Sequence, residues 1–210
     1  MPTPRGPRLA RKPKDQYHHG DLRRALLQAA VRTLHKHGLD ALTLRAVGEE
    51  LGVSRSALYR HFADKSALLT AVASEGFRML RSELSAAWQG AGKGRAGFEA
   101  MASAYVRFAV QNPWHYRVMF GSGFELDTDD PELVEAGKAS FDVLVESLVE
   151  QQAQGLVRQE DPKLQANFVW AVVHGVATLA IDKNLEHQGL DPSELARYAT
   201  ARLYTGIALE

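Results

Sequence analysis

From Leu22 onward, apolar residues return every three or four positions, and most runs open on a proline or close on a glycine. That is the spacing of amphipathic helices, which turn once every ~3.6 residues. Leu22, Leu26, Ala29, Ala30, Thr33 and Leu34 form one stripe, starting at Gly20 or Asp21 and stopping at Gly38. Thr43 caps a short helix over 44–51 that Gly52 ends, and Ser54 caps another running through Phe62. Asp64 precedes a long periodic run over 65–89 with no proline inside it. Gly90, Gly92, Gly94 and Gly97 predict a loop before helix signals resume over 98–111. Pro113, Pro131, Pro162 and Pro192 each suit the first turn of a further helix, with ends expected near Phe120, Gln154, His187 and Leu209. Gly121 to Asp130 reads as a flexible acidic loop. No stretch alternates with period two over strand lengths, and no internal repeat is visible. The expectation is an all-α protein of about nine helices. A three-helix N-terminal unit is joined by a long helix to a C-terminal helical domain.

Ser54 to His61 changes this picture from a generic bundle to a candidate helix-turn-helix. Val47, Leu51, Val53 and Leu58 can seal two short helices across the Gly52-Val53 turn. Ala57, Leu58 and Phe62 are enough to bury one side of the second helix. Ser54, Arg55, Ser56, Tyr59, Arg60 and His61 are then left for the outside, an unusual density of donors. A helix so decorated can lie in the major groove, where an Arg can grip guanine with two hydrogen bonds. Thr43 and Arg45 stand at the first turn of the preceding helix, where free N–H groups favour phosphate. Lys65, at the start of the next helix, can reach a phosphate as well. These nine residues are the candidate DNA contacts. The competing reading is a three-helix bundle with a decorated face.

Charge supports the first reading. The net charge of zero hides 15 Lys and Arg against 8 Asp and Glu in residues 1–83, and the reverse bias beyond them. Residues 1–17 hold four prolines and a cluster of Arg and Lys, and read as a flexible basic arm. Such an arm can follow the phosphates or simply be solvated. No Cys is present, the basic start is no secretory signal, and the longest apolar stretch, 168–181, is 14 residues with a His inside. A bilayer span needs about 20, so this stretch reads as a buried helix, with no membrane partner and a cytoplasmic location.

At this point the chain resembles the tetracycline-repressor (TetR) family of bacterial regulators. The resemblance rests on Thr43-x-Arg45, Leu51-Gly52-Val53-Ser54, Leu58-Tyr59-x-His61-Phe62 and Lys65-x-x-Leu68. It extends to the Tyr17-His18-His19-Gly20-Asp21-Leu22 start. It implies that the Arg55 position reads bases. Tyr59, His61 and Lys65 would contact backbone or base edges, with Thr43 and Arg45 at the groove edge. It also implies a homodimer through the last two helices. Departures are mild: Val47-Gly48, Leu51 and Ser66 stand where Ile-Ala, Ala and Glu are common. Asn112-Pro113-x-x-Tyr116-x-x-Met119-Phe120-Gly121 and Trp170-x-x-x-His174-Gly175 resemble a C-terminal subgroup named for its Trp-His-Gly signature. The expected domains are therefore a basic arm (1–17), a DNA-binding domain (18–66) and an effector-binding and dimerisation domain (67–210).

The second half is rich in large side chains. Met101, Tyr105, Trp114, Met119, Phe120, Trp170 and His174 are candidates to line an effector pocket, against the alternative that each is core. Trp170 and His174, four apart, share a helix face. Ala171, Gly175, Thr178 and Asp182 form a narrow face suited to close helix packing, to which Leu195, Tyr198, Arg202 and Leu203 add. No H-E-x-x-H, G-x-S-x-G, Cys nucleophile or paired carboxylates accompany the histidines, so neither catalysis nor a metal is expected, and no cofactor. The function these features support is a dimeric transcriptional regulator. It would be a repressor released from a palindromic operator by an unidentified small molecule. Its alternatives are a regulator without an effector and an enzyme with a helical appendage.

Overall fold

The computed structural model of the protein describes residues 19–208. Nine α-helices follow one another among them: α1 His19–His37, α2 Leu44–Leu51, α3 Arg55–Tyr59, α4 Lys65–Gly90 and α5 Gly94–Gln111. After these come α6 Pro113–Phe120, α7 Pro131–Ala153, α8 Pro162–Ile181 and α9 Pro192–Ile207. No strand forms among the described residues; one isolated antiparallel bridge joins Val157 to Ala208. The all-α expectation holds. The basic arm expected over 1–17 lies outside the described residues.

Helix ends follow local chemistry. The Thr43 hydroxyl accepts from the Ala46 N–H at 3.0 Å, Ser54 from Ala57 at 3.2 Å and Asp64 from Ala67 at 2.8 Å. Asp130, Asp161 and Asp191 cap α7, α8 and α9 in the same way, each one residue before the proline that opens the helix. Gly38 and Gly52 close α1 and α2 in the left-handed region, at φ of 79° and 63°.

Four boundaries and environments differ from expectation. α3 stops at Tyr59 instead of Phe62, because the N–H groups of His61 and Phe62 both turn in to the Leu58 carbonyl. That tightened end swings Phe62 into the core. α5 begins at Gly94, so Gly97 lies inside the helix where a loop was expected. A Cβ at Gly97 would sit 2.6 Å from the Trp88 ring, so glycine here lets α4 and α5 pack closely. α8 ends at Ile181 and not near His187, since Lys183 adopts a left-handed φ of 61°; a single 3-10 turn follows at Glu186–Gln188.

The fourth concerns α8, which was expected to be buried. One side packs against α5, α7 and α9, but Leu164, Phe168 and Leu179 are exposed. By length and composition alone this helix is apolar enough to cross a membrane. Here its inner side belongs to the common core of the bundle.

α4 organises the molecule. Its first turns meet α1, and its length packs against α5, α6 and α7. Gly76 brings it close to α6, because a Cβ there would fall 2.5 Å from the Met119 sulfur. Glu132, in the first turn of α7, accepts from Arg78 of α4 at 2.8 Å and from Arg23 of α1 at 3.4 Å. The Asp127 N–H donates to the Thr70 hydroxyl of α4 at 2.9 Å. The α6–α7 loop is thus tied to the same end of α4 as α1.

Candidate nucleic-acid interface and interior cavity

The α2–α3 unit presents a polar surface over a small sealed interior. Val47, Leu58 and Phe62 are buried, and Leu51 and Val53 are partly so. Gly48 is buried against them; a Cβ there would meet Leu58 Cδ2 at 3.4 Å, an ordinary contact. With Leu58 pointing in, Ser54, Arg55, Ser56, Tyr59 and Arg60 are exposed and His61 is half-buried. Tyr59, a large aromatic, is 46% exposed. The Arg55 guanidinium lies over its ring at 5.4 Å from the centroid, which holds the cation at the surface without neutralising it. The Ser54 and Ser56 hydroxyls are 3.2 Å apart. The Thr43 hydroxyl oxygen is engaged as a cap, which leaves its proton to donate.

Two expected phosphate contacts have partners of their own. Arg45 bonds Glu49 one turn on at 2.8 Å, a fully solvated pair worth little. Lys65 donates to the Leu39 carbonyl at 2.8 Å, clamping the α1–α2 turn to the start of α4. Sequence reasoning missed this clamp, because a lysine at a helix start gives no sign of which carbonyl the fold will bring to it.

The second feature is a cavity of about 310 Å³ lined by α4, α5, α6, α7 and α8. Of the residues expected to line it, Met101, Tyr105, Phe120 and Trp170 do. Trp114, Met119 and His174 do not. Trp114 lies in a shallow groove beside Val31 and His35 of α1, with Arg117 over its ring. Met119 fills the space that Gly76 leaves, and His174 stands behind the wall. Sequence reasoning missed the contribution of α4 and α7: Phe77, Leu80 and Leu84 from one, Gly137, Ser140, Phe141 and Leu144 from the other. Their periodicity marked an apolar face, and a face that lines a hole has the same periodicity as one that fills it.

A polar cluster backs the cavity at one end. The Trp170 indole donates to the Tyr105 hydroxyl at 3.0 Å. The Tyr116 and Tyr105 hydroxyls lie 2.7 and 3.0 Å from His174 Nδ1, and 3.3 Å from each other. Burial pushes the Tyr116 phenol up to about 12 and the Tyr105 phenol higher still, so both remain protonated. Burial also lowers the His174 pKa, which favours the neutral ring. Among the described residues no group of three or more His, Asp or Glu is placed to hold a metal ion.

Comparison with known proteins covers both parts. Residues 26–72 match the family model described as bacterial regulatory proteins of the tetR family. Residues 98–203 match the model described as a tetracyclin repressor-like C-terminal domain. A solved Rhodococcus protein described as of unknown function is 38% identical, with a TM-score of 0.82 over 93% of this chain and all of that one. The TetR-family transcriptional regulator PfmR of Thermus thermophilus shares the fold at 18% identity and a TM-score of 0.67, over 86% of this chain and 97% of its own. So does the fatty acid degradation regulator FadR of Bacillus halodurans, at 16% identity and a TM-score of 0.67, over 92% and 98%. Both halves of the chain match family models, and Ser54, Arg55, Ser56, Tyr59 and Arg60 stand outward on a helix-turn-helix. The chain belongs to the tetracycline-repressor family of DNA-binding bacterial transcriptional regulators.

Proposed function

We propose that the protein is a cytoplasmic homodimeric repressor that leaves a palindromic operator when a small molecule occupies the α4–α8 cavity. The observation that carries the DNA half is the outward row Ser54, Arg55, Ser56, Tyr59 and Arg60 over the buried Leu58. A five-residue helix fixed at its cap and at Leu58 presents those donors in one direction, as groove reading requires. Thr43, Arg45, His61 and Lys65 flank that row as phosphate contacts.

The dimer reading draws on the exposed side of α8 and α9. Leu164, Phe168 and Leu179 stand outward on α8 and Tyr198 on α9, with Ala171 and Gly175 exposed between them. A Cβ at Gly175 would meet nothing within 4 Å, so the helix can approach another closely there. Leu203, also expected at this face, is buried in its own subunit. An apolar strip of this kind is usually covered in an assembly.

Gating follows from α4. Phe77, Leu80 and Leu84 line the cavity, while Lys65 and Thr70 of the same helix are bonded to the α1–α2 turn and the α6–α7 loop. Filling the cavity displaces the middle of a helix whose first residue is bonded to the α1–α2 turn and follows α3 directly in the chain. An effector that prefers the displaced state ~100-fold supplies nearly 3 kcal/mol against operator binding. A regulator without an effector calls for a collapsed interior, and a 310 Å³ cavity argues against that alternative.

The test is to select bound duplexes from a random pool, then titrate the selected duplex with the protein, with and without ligands found to bind the cavity. The expected result is an inverted repeat with half-sites about 34–36 Å apart or a multiple, bound by two chains or an even number. Monomeric binding to an asymmetric site would overturn the reading.

A further inference from the structure

The geometry points to an uncharged, largely apolar effector that carries one hydrogen-bond acceptor, such as an ester or ketone oxygen, placed against the Tyr105 hydroxyl. This rests on the reading of the α4–α8 cavity as the effector site.

The first argument is the absence of charge. No Asp, Glu, Lys, Arg or His lines the cavity, and the ring behind the wall, His174, is held toward its neutral form by burial. An ionised group seated among the inner wall residues would lose its hydration and meet no countercharge. The cost of burying an unpaired ion exceeds what the apolar walls return. Four polar side chains remain in the lining: Tyr105, Ser140, Asn167 and Trp170.

The second argument is an inventory of their protons. Ser140 spends its proton on the Gly137 carbonyl at 2.8 Å. Asn167 is exposed to solvent, and one of its two amide protons goes to the Lys163 carbonyl at 2.8 Å. The Trp170 N–H is committed to the Tyr105 oxygen. Tyr105 is different. Neutral His174 accepts at one ring nitrogen at a time, and the 2.7 Å Tyr116 hydroxyl is the better placed donor to Nδ1. That leaves the Tyr105 proton the Tyr116 oxygen at 3.3 Å, the longest contact of the cluster. With the other tautomer, His174 donates to Tyr116, Tyr116, whose hydroxyl also meets Thr178, donates to Tyr105, and the Tyr105 proton again has no short partner. In both of these arrangements the cluster holds one weakly committed donor, on a phenol that lines the cavity. An acceptor oxygen from the ligand completes it.

Titration calorimetry with two isomeric probes tests this on the full chain. Methyl octanoate is neutral with an acceptor oxygen; nonanoate has the same non-hydrogen atoms but is anionic at about pH 8. The expected result is ester binding with nonanoate at least about a hundredfold weaker. Tyr105→Phe should weaken the ester about three- to tenfold. Nonanoate binding as well as the ester would overturn the inference, and so would a folded Tyr105→Phe protein that binds the ester unchanged. The ester–acid comparison needs no variant. Both of those outcomes leave the cavity reading standing if Ala102→Leu, which fills the cavity from α5, abolishes binding of whichever probe binds. Binding of neither probe, or binding that survives Ala102→Leu, overturns the cavity reading and this inference together.

Discussion

The α2–α3 turn and the α4–α8 cavity are built on different length scales, and so they expose different things. Most of what shapes the proposed DNA-facing surface lies within about twenty residues of sequence: two caps, one left-handed glycine, and Val47, Leu58 and Phe62 beneath. The cavity draws its wall from five helices between Phe77 and Val173, and its polar end joins residues up to 69 positions apart. The first region is a local motif that projects donors outward. The second is a long-range arrangement that turns nearly all its polar groups away from its interior.

That contrast predicts where mutations hurt. The largest expected effect is Leu58→Ala, since Leu58 is the main anchor of a five-residue helix; it should cost ~2–5 kcal/mol and abolish operator binding, as read by chemical denaturation and titration. Gly97→Val on the cavity side should cost ~1–3 kcal/mol by driving a side chain into the Trp88 ring, and should leave the α2–α3 surface intact. If Gly97→Val abolished DNA binding in molecules still folded, the two regions would not be separable. Lys65→Ala should cost ~1.5–3 kcal/mol through the lost Leu39 bond, and if the ammonium also meets a phosphate, the salt dependence of DNA affinity should flatten by about one unit of slope.

Smaller effects sharpen the same comparison. Gly48→Ala, in the local motif, should gain up to about 1 kcal/mol of helix propensity, because the added carbon meets Leu58 at ordinary contact distance. The opposite sign from Gly97→Val would come from adding side-chain carbon at two packing densities. pH separates the regions too. The folded His174 has a pKa below its ordinary 6.5, so the neutral ring's contribution is complete above that value and is lost as pH falls below it. The buried Tyr105 and Tyr116 have raised pKa values, so their contribution is complete below the usual phenol value of 10.0 and is lost as pH rises beyond it. A melting temperature that stayed flat on both sides would contradict the cluster; His174→Gln should remove only the acid limb.

The sequence made the first region legible for a physical reason. Caps, a turn glycine and alternating buried and exposed positions are decided by neighbours in the chain, so Thr43, Ser54 and Gly52 could be assigned without knowing the fold. Even there the end of α3 was misjudged by three residues, because Phe62 is drawn in by packing against the rest of the unit and not by helix propensity. In the second region, Tyr105 and Trp170 stood out as residue types suited to a pocket. The part that α4 and α7 play did not, nor did the exchange of Met119 from pocket to helix contact. Those depend on which helices pass close together, and Gly76 and Gly97 set that through side chains they lack.

The most direct test is the ratio of affinities for the selected operator and a scrambled duplex at one salt concentration, in wild type and in Arg55→Ala. The account predicts that this ratio falls by about 30-fold to 10⁴-fold in the variant, through loss of one contact of about 1–3 kcal/mol in each of two half-sites, with the melting temperature unchanged. A ratio that stays the same would mean that the outward face of α3 does not read the sequence.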